Sequence, residues 1–180
     1  MMRRFINKKF TKRNRFTRQC IGEAILFLIH QKGFEAITIS DIVKKAGVSR
    51  MTFYHYFHDK TDALNNYLYE VINGYVEECP EIITFHMLQG TARIRHALCY
   101  FDRYAFLFIT LEEANLYYLM IHAINDYLQL YVAPHYSGSV YDLYYYAGAL
   151  LNVFIYWEKN EKKESVDELV QILERRIQNT

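Results

Sequence analysis

Apolar residues recur at intervals of three and four along most of the chain, and this spacing predicts helices. The first predicted helix runs from about Thr11 or Lys12 to Lys32, and Gly33 marks its end. Its apolar face is formed by Ile21, Ala24, Ile25, Leu28 and Ile29. No segment alternates as a strand would, so the predicted fold class is all-α.

The segment TISDIVKKAGVSRMTFYHYFHDKTDAL, residues 38–64, carries the clearest local signals. Thr38 followed three residues later by Asp41 predicts a capping box at a helix start. Gly47 predicts a tight turn, because glycine adopts positive φ at little cost. Ser49 is the next expected N-cap. Two short helices separated by such a turn are typical of a helix-turn-helix.

The second short helix, predicted over 50–56, has an unusual composition. Phe53 and Phe57 can anchor it inward, while most of its other side chains can hydrogen-bond outward. A short helix rich in outward donors suits insertion into a DNA major groove. The alternative interpretation is an ordinary surface helix between two turns.

The same segment resembles the signature of the TetR/AcrR family, T-x-x-x-I-A-x-x-A-G-V-S-x-x-T-x-Y-x-x-F-x-x-K-x-x-L. It differs at Val43 and Phe53, where the family usually has alanine and leucine. Matching positions are Thr38, Ile42, Ala46, Gly47, Val48, Ser49, Thr52, Tyr54, Phe57 and Lys60, and Leu64 lies one position after that of the signature's final leucine.

The resemblance implies an N-terminal three-helix helix-turn-helix DNA-binding domain over 1–60 and a C-terminal helical effector-binding and dimerisation domain over 61–180. It further implies a ligand-responsive repressor acting as a homodimer on a pseudo-palindromic operator. Ser40, Arg50, Thr52 and Tyr56 would read bases. Thr38, Tyr54 and Lys60 would hold phosphates. The predicted DNA-binding set is Thr38, Ser40, Ser49, Arg50, Met51, Thr52, Tyr54, Tyr56 and Lys60, with Met51 offering a thymine methyl contact.

Charge is divided unevenly along the chain, although the net charge is only +1. Residues 1–60 contain thirteen Lys and Arg against four Asp and Glu, and residues 61–180 contain eight against sixteen. The resulting +9 and −8 suit one phosphate-facing part and one part that does not touch DNA. For Arg3 and Arg4, a DNA role and a solubilising tail remain equal alternatives. A DNA role is favoured for the later basic residues, namely Lys8, Lys9, Lys12, Arg13, Arg15 and Arg18.

Beyond residue 60 the pattern stays helical. The helix from Lys60 is expected to break near Pro80. Short helices are predicted around 92–100 and 103–108. Thr110 with Glu113 is expected to open a long helix that ends before Pro134.

The last two helices, predicted at about 140–159 and 166–178, suggest how two copies associate. The first is apolar on more than one side, while Gly148 and Ala149 would permit close helix approach. Pairing both helices with those of a second copy would form a four-helix interface. A homodimer could then place two recognition helices in successive major grooves.

The chain contains seventeen Tyr and twelve Phe, and most of the Tyr lie after residue 66, which gives the second part a strongly aromatic character. Tyrosine can line a pocket with an apolar wall and an orienting hydroxyl, and the family binds small-molecule effectors in this domain. The alternative is that these residues form core or interface. The predicted ligand-binding residues are Tyr100, Arg103, Tyr104, Tyr118, His122 and Tyr145.

The tail YYAGALLNVFIYWEKNEKKESVDELVQIL, from Tyr145, loosely resembles the dihydroxyacetone kinase regulator subgroup of these proteins. Some members of that subgroup act as activators or coactivators. The alternative function is therefore a ligand-binding activator or coactivator that works through a protein partner.

The remaining chemistry argues against other classes. Cys20, Cys79 and Cys99 are scattered without a C-x-x-C pair, so neither a disulfide framework nor a zinc site is expected. Redox sensing by one of them is the less favoured alternative. No phosphate loop or nucleophile motif occurs, so an enzyme is not predicted, nor is a cofactor. The longest apolar run is too short for a membrane span, and a cytoplasmic location is expected.

Overall fold

A computed structural model describes residues 12–78 and 84–177 of the chain, and in this part every regular element is helical. Arg3, Arg4, Lys8, Lys9, Cys79 and the expected break near Pro80 lie outside the described residues. A single 3-10 turn, Ala133–His135, contains Pro134. The α-helices are α1 Lys12–Lys32, α2 Ile39–Ala46, α3 Arg50–Tyr56, α4 Lys60–Glu78, α5 Phe85–Gln89, α6 Thr91–Asp102, α7 Ala105–Glu113, α8 Tyr117–Tyr131, α9 Val140–Lys159 and α10 Val166–Ile177.

The predicted all-α class is confirmed, and the helix ends follow the predicted capping chemistry. Thr38 and Asp41 form the full capping box of α2. Gly47 ends that helix in the left-handed conformation, at φ 67°. Ser165 exchanges the equivalent bonds with Glu168 at the start of α10.

The predicted start of a long helix at Thr110 is wrong. Thr110 lies inside α7 and is buried, so it caps nothing. The chain breaks instead at Asn115, whose φ is 59°. The Leu116 amide donates to Leu111 O at 2.8 Å, which closes the end of α7 in the way that a left-handed asparagine allows.

The short helix α5 was not predicted. Its five residues carry one buried apolar side chain, Leu88, and its N-cap is Thr84. The Tyr146 hydroxyl of α9 donates to Leu88 O. A contact between residues 58 positions apart holds this helix, and sequence periodicity does not report such contacts.

The chain divides into two compact units. The first unit comprises 1–73 with 110–123, and the second comprises 74–109 with 124–180. Helices α4, α7 and α8 each contribute residues to both units. The predicted functional division after residue 60 falls inside the first unit, at the start of α4, and stays a prediction.

The first unit has an apolar core in which α1 and α4 approach closely. Ile21, Ile25, Leu64 and Leu68 are fully buried. A Cβ on Gly22 would lie 2.4 Å from the ring of Tyr67, so only glycine fits there. This packing forms the base on which α2 and α3 are held.

Candidate nucleic-acid interface

The loop into α2 is fixed by a charged cap. The Asp41 carboxylate accepts from the Thr38 amide at 2.9 Å and from the Thr38 hydroxyl at 2.7 Å. Lys32 donates to the same carboxylate at 2.7 Å. These bonds hold the pKa of Asp41 well below its usual range, and the bond from Lys32 has the largest effect. Thr38, a predicted phosphate contact, is therefore held rigidly at the surface.

The start of α3 is capped by Ser49. Its hydroxyl oxygen accepts from the Thr52 amide at 3.0 Å and lies 2.9 Å from the Thr52 hydroxyl. Ser40 is also exposed, on the first turn of α2. Ser49 and Thr52 thus lie at the start of α3, and Ser40 lies at the start of α2.

Helix α3 has one buried and one open side. Phe53 is fully buried and Phe57 is 3% exposed. On the open side Met51 is 83% exposed and Tyr54 53%, beside exposed Arg50 and His55. Two phenylalanine rings thus anchor the helix, while a cation, a thioether, a phenol and an imidazole stand outward.

Tyr56 differs from the other predicted base readers. It is half-buried, and its hydroxyl donates to Asn14 Oδ1 of α1 at 3.1 Å. Its ring also meets His55 edge-on, with centroids 4.8 Å apart. The hydroxyl hydrogen is therefore engaged within the protein.

Lys60, a predicted phosphate contact, is directed into the protein. Its ammonium donates to the carbonyl oxygens of Phe34, Glu35 and Ile37 at 2.7, 3.2 and 3.2 Å. An ammonium has three hydrogens, so these three bonds use all of them. Lys60 thus ties the start of α4 to the loop between α1 and α2.

The expected DNA role of Arg18 is wrong. Arg18 is 7% exposed; its Nε donates to Asn66 Oδ1 at 3.0 Å and its Nη2 lies 3.3 Å from Glu70 Oε1. Desolvation lowers the pKa of Arg18, an effect that Glu70 opposes. Arg15 also lies near this carboxylate, 3.7 Å from Glu70 Oε2, but remains half exposed. Arg13 is exposed and keeps its predicted role.

Three predicted ligand residues come together in the second unit. The ring of Tyr100 is buried and lies 5.4 Å from that of Tyr104. The Arg103 guanidinium stacks 4.3 Å from the centre of the Tyr100 ring and donates to Glu78 at 2.7 Å. Arg103 lowers the pKa of Glu78 through that bond, and burial raises the pKa of Tyr100. The cluster is therefore aromatic, with the ion pair of Arg103 and Glu78 beside it.

The other three predicted ligand residues are Tyr118, His122 and Tyr145. Tyr118 and His122 belong to the first unit, where their ring centres are 6.3 Å apart. Tyr145 belongs to the second unit and is 75% exposed on α9. The six predicted ligand residues are thus divided between the two units, and their common site stays a prediction.

The described residues include no group of three His, Cys, Asp or Glu placed to hold a metal ion. None of the described helices has both the length and the apolar character needed to cross a bilayer. The exposed donors of α3, on a helix anchored by buried Phe53, form an organised polar surface of the first unit.

Residues 21–65 match the family model described as "Bacterial regulatory proteins, tetR family". The matched segment covers most of α1, all of α2 and α3, and the first turn of α4. It is a DNA-binding helix-turn-helix domain. The chain is a DNA-binding transcriptional regulator whose residues 21–65 form a TetR-type domain, as the signature in residues 38–64 predicts.

Among solved structures, the fatty acid degradation regulator FadR from Bacillus halodurans has a similar fold, with a TM-score of 0.60. The two share 18% sequence identity, and the match covers 93% of this chain and 95% of the other. At that identity the likeness shows the fold alone. Comparison with curated protein sequences gave no match.

Sequence reasoning missed the polar partners of Tyr56 and Arg18. Asn14, Asn66 and Glu70 were not singled out, because each is an ordinary polar residue on a helix. Only the pairing of residues 42 to 52 positions apart reveals their role. The position of Tyr56 next to apolar Phe57 was a sequence signal that its side chain could be partly buried.

Proposed function

We propose that the protein is a homodimeric, ligand-responsive repressor that binds a pseudo-palindromic operator through α3 of each protomer. The observation that carries this proposal is the set of exposed polar side chains on α3. Buried Phe53 anchors this helix, and Ser49 caps its start. Arg50, Thr52 and Ser40 are the proposed base readers. Exposed Tyr54 and Thr38 are the proposed phosphate contacts.

A stripe of exposed residues along α9 supports the homodimer. Tyr141, Tyr145 and Tyr156 are 79, 75 and 70% exposed, and with Ala149 and Asn152 they recur every three or four residues on one face. We call these five residues the α9 stripe. Large aromatic side chains exposed in a row mark a surface that another protein covers.

Gly148 of α9 and Ile172 of α10 also support an interface at the α9 stripe. A Cβ on Gly148 would meet nothing within 4 Å, so packing inside the described chain does not require glycine there. Glycine costs about 0.5–1 kcal/mol in a helix interior relative to alanine. Close approach of a helix from a second copy would account for it. Ile172 of α10, 41% exposed, adds an apolar residue to the proposed interface.

A small-molecule effector is proposed to bind at the Tyr100, Arg103 and Tyr104 cluster of the second unit. It would act on α4, because that helix begins at Lys60 beside the recognition segment and continues into the second unit. A ligand shifts the DNA-binding equilibrium only by its preference for one state of α4 over the other.

Replacing Arg50 with alanine tests the reader assignment. We expect a loss of about 1–3 kcal/mol in binding free energy at one base position, because an arginine can pair bidentately with guanine. Operators would be selected from a random duplex pool with the wild-type protein, and affinity measured on each single-base variant.

Lys163→Ala removes an equally exposed cation from the turn after α9 and is the matched control for Arg50→Ala. It should leave affinity unchanged. Full affinity of Arg50→Ala for the selected operator would disprove the reader assignment. If the wild-type protein enriches no duplex at all, the coactivator alternative would be favoured over the repressor.

Met51 is proposed to contact a thymine methyl group, the apolar feature of the major groove. Replacing each operator thymine in turn by deoxyuridine removes that methyl and leaves base pairing unchanged. We expect one such change per half-site to weaken wild-type binding and to leave Met51→Ala binding unaffected. Equal sensitivity of the two proteins at every thymine would contradict the contact.

A further inference from the structure

Helix α3 is held differently at its two ends. At its start, Ser49 makes a local cap within the same turn. At its last residue, the Tyr56 hydroxyl donates to Asn14 of α1 at 3.1 Å, across 42 residues of sequence. The second contact therefore relates the direction of α3 to another helix.

The part of α1 that carries Asn14 is itself fixed. One turn further on, Arg18 bonds both Asn66 and Glu70 of α4, and Arg15 lies near the same Glu70 carboxylate. The Arg18 side chain is 8% exposed and that of Glu70 is 26% exposed, so the pair is partly shielded from water. Removing one partner would leave the largely buried Arg18 guanidinium without its counter-ion, which is costly, and this makes the link from α1 to α4 stiff.

Small rotations of α3 matter because the helix is short. Seven residues span about 10 Å, so a tilt of about 10° at Tyr56 moves the Arg50 end by more than about 1 Å. Hydrogen bonds to base edges weaken steeply with such misalignment. Contacts with phosphates by exposed flexible side chains tolerate it far better.

We propose that Tyr56 is a positioning residue: its bond to Asn14 sets the angle of α3 on DNA, and it does not itself read a base. Two observations distinguish this role from base reading: the half-burial of Tyr56 and the engagement of its hydroxyl hydrogen inside the protein. The role rests on the sequence-specific DNA binding proposed above.

The test is a double-mutant cycle with Tyr56→Phe, Asn14→Ala and the two combined. Affinities are measured for a duplex selected by the wild-type protein and for an unrelated duplex, well below the melting temperature of each variant. Each single change should lower affinity for the selected duplex by about three- to tenfold per half-site, the worth of one hydrogen bond. Affinity for the unrelated duplex should not change, and the combined variant should be no worse than either single one.

Gln19→Ala is the matched control, because it removes an exposed amide from the same helix that pairs only locally, with Glu23. It should leave both affinities unchanged. A loss with Tyr56→Phe but none with Asn14→Ala would show that Tyr56 reads a base and would overturn the proposal, as would additive losses. Failure of the wild-type protein to select any duplex would be a different result, because it refutes sequence-specific binding before the variants are compared.

Discussion

Phe53→Ala is expected to lower the free energy of unfolding of the DNA-binding unit by about 3–5 kcal/mol. Phe53 is fully buried, and its ring lies 5.5 Å from that of Tyr54 and 5.7 Å from that of Phe57. Truncation leaves a cavity that a seven-residue helix cannot fill by moving, since both of its ends are held. Domains are commonly stable by only about 5–15 kcal/mol, so specific DNA binding should be lost with the fold.

Urea unfolding followed by circular dichroism measures the effect of Phe53→Ala. Met51→Ala is the matched control, two residues away on the same helix but 83% exposed. It should change the free energy of unfolding by no more than about 0.5 kcal/mol. Equal stability of the two variants would mean that Phe53 does not anchor α3.

Tyr145→Glu is expected to separate the proposed homodimer into monomers that remain folded. Tyr145 is 75% exposed, so a carboxylate there is tolerated in the single chain. In a twofold interface each substitution occurs twice, so two charges would be buried without partners. Two linked half-site contacts can raise affinity by about 100-fold or more over one. Operator affinity should fall by a factor of that size.

Sedimentation velocity and operator titration together measure the effect of Tyr145→Glu. Tyr118→Glu is the control for oligomeric state, because Tyr118 is also exposed, at 49%, but lies off the α9 stripe. The control should sediment as the wild-type protein does. A Tyr145→Glu protein that sediments like the wild type would place the interface away from the α9 stripe.

Local chemistry predicted the first unit well. Thr38, Gly47 and Ser49 act within three or four residues of themselves, so their caps and turn can be read from neighbouring residues. The family signature lies in the same short segment, and the match at 21–65 confirms that this segment is part of a TetR-type domain.

Prediction failed where distant residues decide the outcome. The Thr110 and Glu113 spacing resembles a helix start, but burial of Thr110 inside α7 and the left-handed Asn115 place the break five residues later. Arg18 was expected to face DNA because basic residues surround it in sequence. Its true partners, Asn66 and Glu70, lie 48 and 52 residues away.

The inward direction of the Lys60 side chain affects how strongly DNA binding depends on ionic strength. Only cations that neutralise phosphates release counterions, with a slope of about −0.9 per phosphate in a plot of log affinity against log salt concentration. Lys60 donates hydrogen bonds to three carbonyl oxygens, Lys32 forms an ion pair with Asp41, and Arg18 forms one with Glu70. The number of ions released per protomer should therefore fall short of the thirteen Lys and Arg in residues 1–60.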